Sequence, residues 1–318
     1  MQGVTVQHLR FHVRARESIL FEDQPGAALR GALYQVLADN FCSEAFGPVT
    51  PEHSAHCPVC WLLAGEDPDA GRGQNIPRAL SVEPPLDQAI WHEGDELVFG
   101  FSLIGRARDL LPYIARAAEK MGSVGVGRGR GRFKLEGISE FNPCLDVERT
   151  LLDGRLVKRP TLQITPAQIT DHTTRLSKTH LTIELLTPTR LTAGEQLIKT
   201  PDPVVLMKRL LERCQNLANH FAEIAPGQQL PTREEWRATD DSLAVAARGL
   251  RLTYNETRWI EARSGSRRTG RTTPISGLVG RFRWEGELAT ILPWILWGQS
   301  LHVGKNAVKG NGWYRVIQ

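Results

Sequence analysis

Two copies of one strand–helix–strand–strand–helix–strand pattern, each ending on a similar glycine loop, predict an α+β chain of two tandem ferredoxin-like (RRM-like, βαββαβ) domains. The 318 residues suit two domains of ordinary size, and 23% charged against 41% apolar residues is a globular balance. No apolar run approaches the ~20 residues of a membrane span. His8, Arg10, His12, Arg14 and Arg16 punctuate the N-terminal segment, which does not read as a signal peptide. Five cysteines in a chain of this size argue against a disulfide framework. A soluble, cytoplasmic protein with no membrane partner is expected.

Each element of the first copy has its own signal. Val4–Val13 alternates apolar and polar residues, with one phase slip, as a strand does. Residues 26–41 place Leu29, Leu33, Val36, Leu37 and Phe41 at helical spacing. An irregular, cysteine-bearing insertion near 42–75 follows, then strands at Arg78–Val82 and Glu96–Ile104. An amphipathic helix, Ala107–Met121, leads through Gly125–Gly131 into a strand at Arg132–Phe141. The second copy runs from a strand at Thr179–Leu186 to a helix at Pro203–Phe221, with Pro203 near its start. Arg248–Arg263 and Ile275–Trp284 flank a Gly/Ser/Arg turn as the arms of a hairpin. A helix over Glu287–Gln299, in which Pro293 either makes a kink or sits in the first turn, precedes the last strand, Trp313–Ile317. The expected domains are 1–150 and 151–318, joined near 145–178.

The two endings match locally. Gly129-Arg130-Gly131-Arg132-Phe133-Lys134-Leu135 aligns with Gly310-Asn311-Gly312-Trp313-Tyr314-Arg315-Val316, and both follow a helix. Neither is a nucleotide-binding fingerprint, because that motif follows a strand and opens a helix. A glycine loop does let backbone N–H groups approach phosphate oxygens, and interleaved cations add charge-assisted hydrogen bonds. Arg128, Arg130 and Arg132, and in the second loop Gly304, Lys305, Lys309, Gly310 and Gly312, are therefore candidates for RNA contact. The alternative is a tight turn with solvated side chains.

Charge distribution favours a polyanionic partner. The last 68 residues hold eleven Lys/Arg against four acids, net +7, while the first 250 carry −3. Five of those cations, Arg258, Arg263, Arg267, Arg268 and Arg271, surround Ser264-Gly265-Ser266 with Glu261 as the one acid among them. A basic hairpin tip of this kind can follow the phosphates of RNA.

Cys57-Pro-Val-Cys60, with Cys42 upstream and His53 or His56 between, offers the ligand types of a four-coordinate structural zinc site. Cys42, His53, Cys57 and Cys60 are the candidate set. Buried or free thiols are the other reading, since C-x₁₄-C-x₂-C lacks a clean second pair.

His180–Ala193, the helix from Asp202 and Leu301–Val316 resemble the C-terminal domain of CRISPR-associated precursor-crRNA-processing endoribonucleases of the RAMP superfamily. Gly26–Leu33 and Gly125–Phe133 look like that family's first domain. The resemblance implies metal-independent cleavage of CRISPR repeat RNA, without a catalytic cofactor. The products would carry 2′,3′-cyclic phosphate and 5′-OH ends, and the crRNA would stay bound inside an effector complex with its subunits. Many relatives place a general-base histidine in or just after the first helix. Here that helix has none, and Tyr34, with Arg30 one turn earlier, is its only suitable polar side chain.

In metal-independent cleavage the substrate's 2′-OH is the nucleophile. The protein moves two protons and neutralises the phosphorane. His302, just before Gly304-Lys305, would transfer a proton, Lys305 would stabilise charge, and Tyr34 would supply a second polar hydrogen; by analogy with the family the second glycine loop would face the first helix. A hydrogen-bonded strand histidine is the other reading of His302. The alternative function is a non-catalytic crRNA-binding subunit.

Overall fold

The computed structural model describes residues 1–22, 25–42, 44, 50–64, 77–153, 156–265 and 272–317. The chain divides into two compact units, Val6–Gln163 and Ile164–Gln318, with Met1–Thr5 belonging to the second. The boundary lies beyond the expected 150/151, because Glu140 on the last long strand of the first unit accepts from the backbone of Thr161 and Leu162, both at 2.7 Å. Gly3 accepts from the N–H of Glu223 at 2.8 Å and ties the N-terminus into the second unit. Among the described residues no helix is long and apolar enough to cross a membrane.

The first unit contains β1 (Val6–Ala15), α1 (Pro25–Phe41), β2 (Leu80–Glu83), β3 (Glu96–Ile104), α2 (Leu111–Val124), β4 (Phe133–Asn142) and β5 (Val147–Thr150). Its sheet order is β2-β3-β1-β4-β5, every neighbour antiparallel. The first four strands of the repeat thus lie in the ferredoxin-like order 2-3-1-4. The phase slip read in the sequence is not a break: β1 is continuous and buried throughout its first four residues. Leu9, Phe11, Phe99 and Phe101 form one wall of the core, with Phe11 and Phe99 stacked at 5.4 Å, and Leu29, Leu33 and Leu37 of α1 are buried with them. The expected helix over 107–121 opens as a 3-10 turn, Gly105–Leu110, and becomes α-helical at Leu111, with Pro112 in the first turn where no N–H is needed.

The second unit contains α3 (Pro166–Arg175), β6 (His180–Thr189), α4 (Pro203–Phe221), α5 (Arg233–Arg248), β7 (Arg251–Asn255), β8 (Arg258–Ile260), β9 (Arg263–Gly265), β10 (Thr272–Pro274), β11 (Gly277–Glu285), α6 (Leu292–Leu301) and β12 (Tyr314–Ile317). The order β7-β11-β6-β12 repeats that of the first unit. The long strand expected over 248–263 is three pieces, β7, β8 and β9. It breaks where the backbone of Glu256 passes over Gly280, whose φ is +109° and where a Cβ would stand 2.6 Å from the Glu256 carbonyl. Pro293 sits in the first turn of α6, so the helix starts at Leu292 rather than Glu287 and is not kinked by it. Helices α3 and α5 have no counterpart in the sequence reading; both open on a capping box, Thr165/Gln168 and Thr232/Glu235.

Candidate functional site

Both glycine loops fold against their own unit. A Cβ on Gly127 would lie 2.3 Å from the Leu20 carbonyl, and one on Gly131 2.3 Å from that of Ser18. In the second unit a Cβ on Gly304 would lie 2.5 Å from the Arg190 carbonyl, and one on Gly312 1.8 Å from that of Val303. In each repeat the loop before the last strand is pressed against the backbone that follows the first strand. Close packing, rather than approach to a phosphate, is what most of these glycines serve. Gly129 differs: it is exposed, its φ is +80°, and no atom of the fold lies within 4 Å of its Cβ position.

The cations of the two loops are in different states. Arg128 pairs with Glu22 at 3.1 Å and Arg132 with Glu17 at 2.5 Å, which holds the Glu17 carboxyl below its ordinary range. Arg130, at φ +56°, is exposed and has no ion-pair partner among the described residues. Lys305 is exposed and likewise without an ion pair there, while Lys309 is half-buried and Gly310 and Gly312 are buried.

His302 is wholly buried. It ends α6 at φ 62°, ψ 165°, a backbone region that side chains rarely adopt. Its ring stacks on Trp313, centroids 6.0 Å apart and planes 11° apart, and Nδ1 lies 3.3 Å from the Asn311 carbonyl. Half-buried Arg213 donates from Nε to the Leu301 carbonyl next door, and desolvation of that guanidinium pushes it down to about 10. These contacts fix the start of the glycine loop. The expectation that the His302 ring itself exchanges a proton with RNA does not fit a side chain with no exposed surface.

Tyr34 is half-buried on α1. Arg30 is turned inward: its guanidinium donates to the Leu63 carbonyl at 3.1 Å, and so does that of Arg78, also at 3.1 Å. Arg258 and Arg263 are exposed, and β9 pairs with β10 as a hairpin arm should. Arg267, Arg268 and Arg271 lie outside the described residues.

The cysteine-bearing segment does converge. The ligand atoms of Cys42, His53, Cys57 and Cys60 all lie within 4.8 Å of one another. Cys42 Sγ is 3.3 Å from His53 Nε2 and 3.6 Å from Cys60 Sγ.

Sequence reasoning missed a set of cations on the outer face of the second sheet. Leu181, Ile183 and Leu185 of β6 point into the core, so the intervening Thr182 and Glu184 face outward. Glu184 lies opposite Arg281 and Arg315 and bonds both, at 2.8 and 2.6 Å; Arg283 donates to Thr182 at 3.0 Å. Burial pushes the Glu184 carboxyl up, but the two guanidiniums outweigh it and hold the group below its ordinary range. Exposed Tyr254 on β7 continues this face. On β8, half-buried Trp259 is flanked by Arg190 at 5.9 Å and Lys199 at 5.4 Å from its ring centroid. Strand alternation at 281, 283 and 315 was the available signal. On the first unit's sheet, by contrast, Arg10 and Arg14 are each ion-paired with acids, namely Glu148, and Glu96 and Glu136.

An N-terminal-domain family model, AF_1859_N, matches residues 4–163, and the model of the CRISPR-associated endoribonuclease Cas6 matches residues 183–314. Residues 183–314 thus form a Cas6-family domain. The Cas6 match runs from Ile183 in β6 to Tyr314 and so contains the second glycine loop with Glu184, Arg281 and Arg283 of the outer face. Three solved structures show the same fold. Thermus thermophilus Cas6 is 13% identical, with 100% of both chains covered and a TM-score of 0.56. A RAMP protein binding different RNA substrates is 13% identical over 98% of this chain and 100% of that one, TM-score 0.50. A partial Cas6-RT-Cas1–Cas2 complex is 14% identical over 99% of this chain and 46% of that one, TM-score 0.62. No curated protein sequence matches the chain.

Proposed function

We propose that this chain cleaves CRISPR repeat RNA without a metal ion, leaves 2′,3′-cyclic phosphate and 5′-OH ends, and retains the crRNA product within an effector complex. The observation that supports the reading most is the surface of the second unit. Arg281, Arg283 and Arg315 share one outward sheet face, on which Glu184 bonds two of them and Glu285 pairs with Arg251, and they lie inside or beside the Cas6-matched range with exposed Lys305. Such a face attracts a polyanion, and an exposed Tyr adds a stacking surface for unpaired bases.

Lys305 is the group that neutralises charge on the phosphorane, and the Tyr34 hydroxyl the one that exchanges a proton with the 2′-OH or the leaving oxygen. His302 is a positioning residue, acting through the loop it closes. Arg130, Arg258 and Arg263, together with Arg267, Arg268 and Arg271, track phosphates. Arg30 acts through the segment it anchors.

The burial of His302 also favours a second reading, a crRNA-binding subunit that performs no chemistry. Incubation with the cognate repeat RNA in EDTA separates the two. Cleavage to a product with a cyclic phosphate supports the nuclease; tight binding with intact RNA supports the subunit. Neither binding nor cleavage refutes both.

A further inference from the structure

We propose that Cys42, His53, Cys57 and Cys60 hold one structural zinc ion that ties the end of α1 to the short helix carrying His53 and to Cys57 and Cys60. The donor set is three soft thiolates and one imidazole, the chemistry that selects tetrahedral zinc over harder cations. Geometry agrees. Zn–S bonds of about 2.3 Å and a Zn–N bond of about 2.0 Å place neighbouring ligand atoms of a tetrahedron roughly 3.5–3.8 Å apart. Cys42 Sγ is 3.6 Å from Cys60 Sγ and 3.3 Å from His53 Nε2, and all four ligand atoms fall within 4.8 Å.

The surroundings are built for it as well. His53 turns Nε2 to the cluster and Nδ1 toward Glu44, whose carboxylate lies 3.4 Å away. A carboxylate behind a ligating histidine fixes the tautomer and raises the basicity of the metal-facing nitrogen. Local folding presents the ligands. Cys42 follows the last turn of α1, with its N–H on the Ala38 carbonyl at 3.2 Å. Thr50 caps the short helix that carries His53, and the Cys57 N–H bonds the His53 carbonyl at 2.8 Å. Cys57 and Cys60 are buried, so thiolates there need a cation. Four protein ligands leave no open position, which makes the ion a staple rather than a catalyst. The staple has a downstream effect: Leu63, three residues past Cys60, receives the guanidiniums of both Arg30 and Arg78, and Arg106 lies over the Trp61 ring at 4.6 Å.

The test is metal content and coordination in the full chain, purified without added metal and with no RNA present. Native mass spectrometry is expected to show one zinc per chain. Exchange with cobalt(II) is expected to give the thiolate-to-metal charge transfer and tetrahedral d–d bands of a sulfur-rich site. Cys57→Ser with Cys60→Ser should abolish binding, Cys144→Ser with Cys214→Ser should keep it, and Glu44→Gln should weaken it about 10–100-fold. If the first pair fails to fold, the metal count and cobalt spectrum of the parent still decide. A parent that is purified as apo-protein, or that carries a Cys42–Cys60 disulfide, overturns the proposal; so does zinc retained by the folded Cys57→Ser/Cys60→Ser variant.

Discussion

Replacing His302 with Ala distinguishes a buried anchor from a proton-transfer group by magnitude alone. The side chain is wholly buried, stacked on Trp313 and bonded to the Asn311 carbonyl. Truncating a buried aromatic-sized side chain costs about 3 kcal/mol, and a unit of this size loses about 2–4 °C of Tm per kcal/mol. A fall of roughly 6–12 °C is therefore expected. The strain at φ 62° stays with Ala and is relieved by Gly, so His302→Gly should be about as stable as His302→Ala despite glycine's greater unfolded-state freedom. Single-turnover cleavage, measured well below the lowered Tm, should then stay within about threefold of the parent. A general acid or base would instead contribute about 10²–10⁴. A rate loss of that size with an unmoved Tm would sink the assignment of His302 as a positioning residue.

Three further sets of substitutions test the same reading. Glu184→Gln removes the acid that bonds Arg281 and Arg315 on the outer cationic face, so RNA affinity should rise and the salt slope steepen by ~0.7 log units for each guanidinium that gains a phosphate. In the parent, the depressed Glu184 carboxyl contributes stability that is present above its unfolded value of 4.5 and lost as pH falls through its lower folded value, so acid denaturation of Glu184→Gln should show a weaker pH dependence there. Gly312→Ala should destabilise the second unit strongly, because its Cβ would stand 1.8 Å from the Val303 carbonyl, whereas Gly129→Ala should cost only the ~1 kcal/mol of its positive φ; thermal melts compare them. Removing Arg267, Arg268 and Arg271 together should flatten the salt dependence of RNA binding by ~0.7 log units per lost contact, and an unchanged slope would mean that these side chains are merely solvated.

The strand order was legible because apolar periodicity survives in the long central strands of the duplicated sheets, as in Leu9, Phe11 and Val13 of β1. Helix α5 escaped because it buries little: Trp236, Leu243 and Ala247 give no continuous stripe. The broken strand after Arg251 escaped because its cause, Gly280, lies on the partner strand. For the candidate site, the cysteine–histidine set was readable because ligand type and spacing are local. The pairing of Arg128 with Glu22 and Arg132 with Glu17 was not, since those partners lie 106 and 115 residues away. Burial of His302 was equally hidden: its neighbours in sequence suggest an exposed glycine loop, and only the packing of Gly304 and Gly312 against backbone shows the loop to be closed.

The path of the first five residues has a consequence for the birth of the molecule. Val6–Gln163 is complete once residue 163 has left the ribosome, yet Met1–Thr5 belong with the later unit and Gly3 is bonded to Glu223. Domains generally fold as units, N-terminal first, during synthesis at ~5–20 residues per second. The leading pentapeptide must therefore wait several seconds, tethered to an already folded neighbour, until the stretch around Glu223 emerges. An N-terminal fusion partner would be carried to the second unit, not the first, and would interfere with the later of the two folding events.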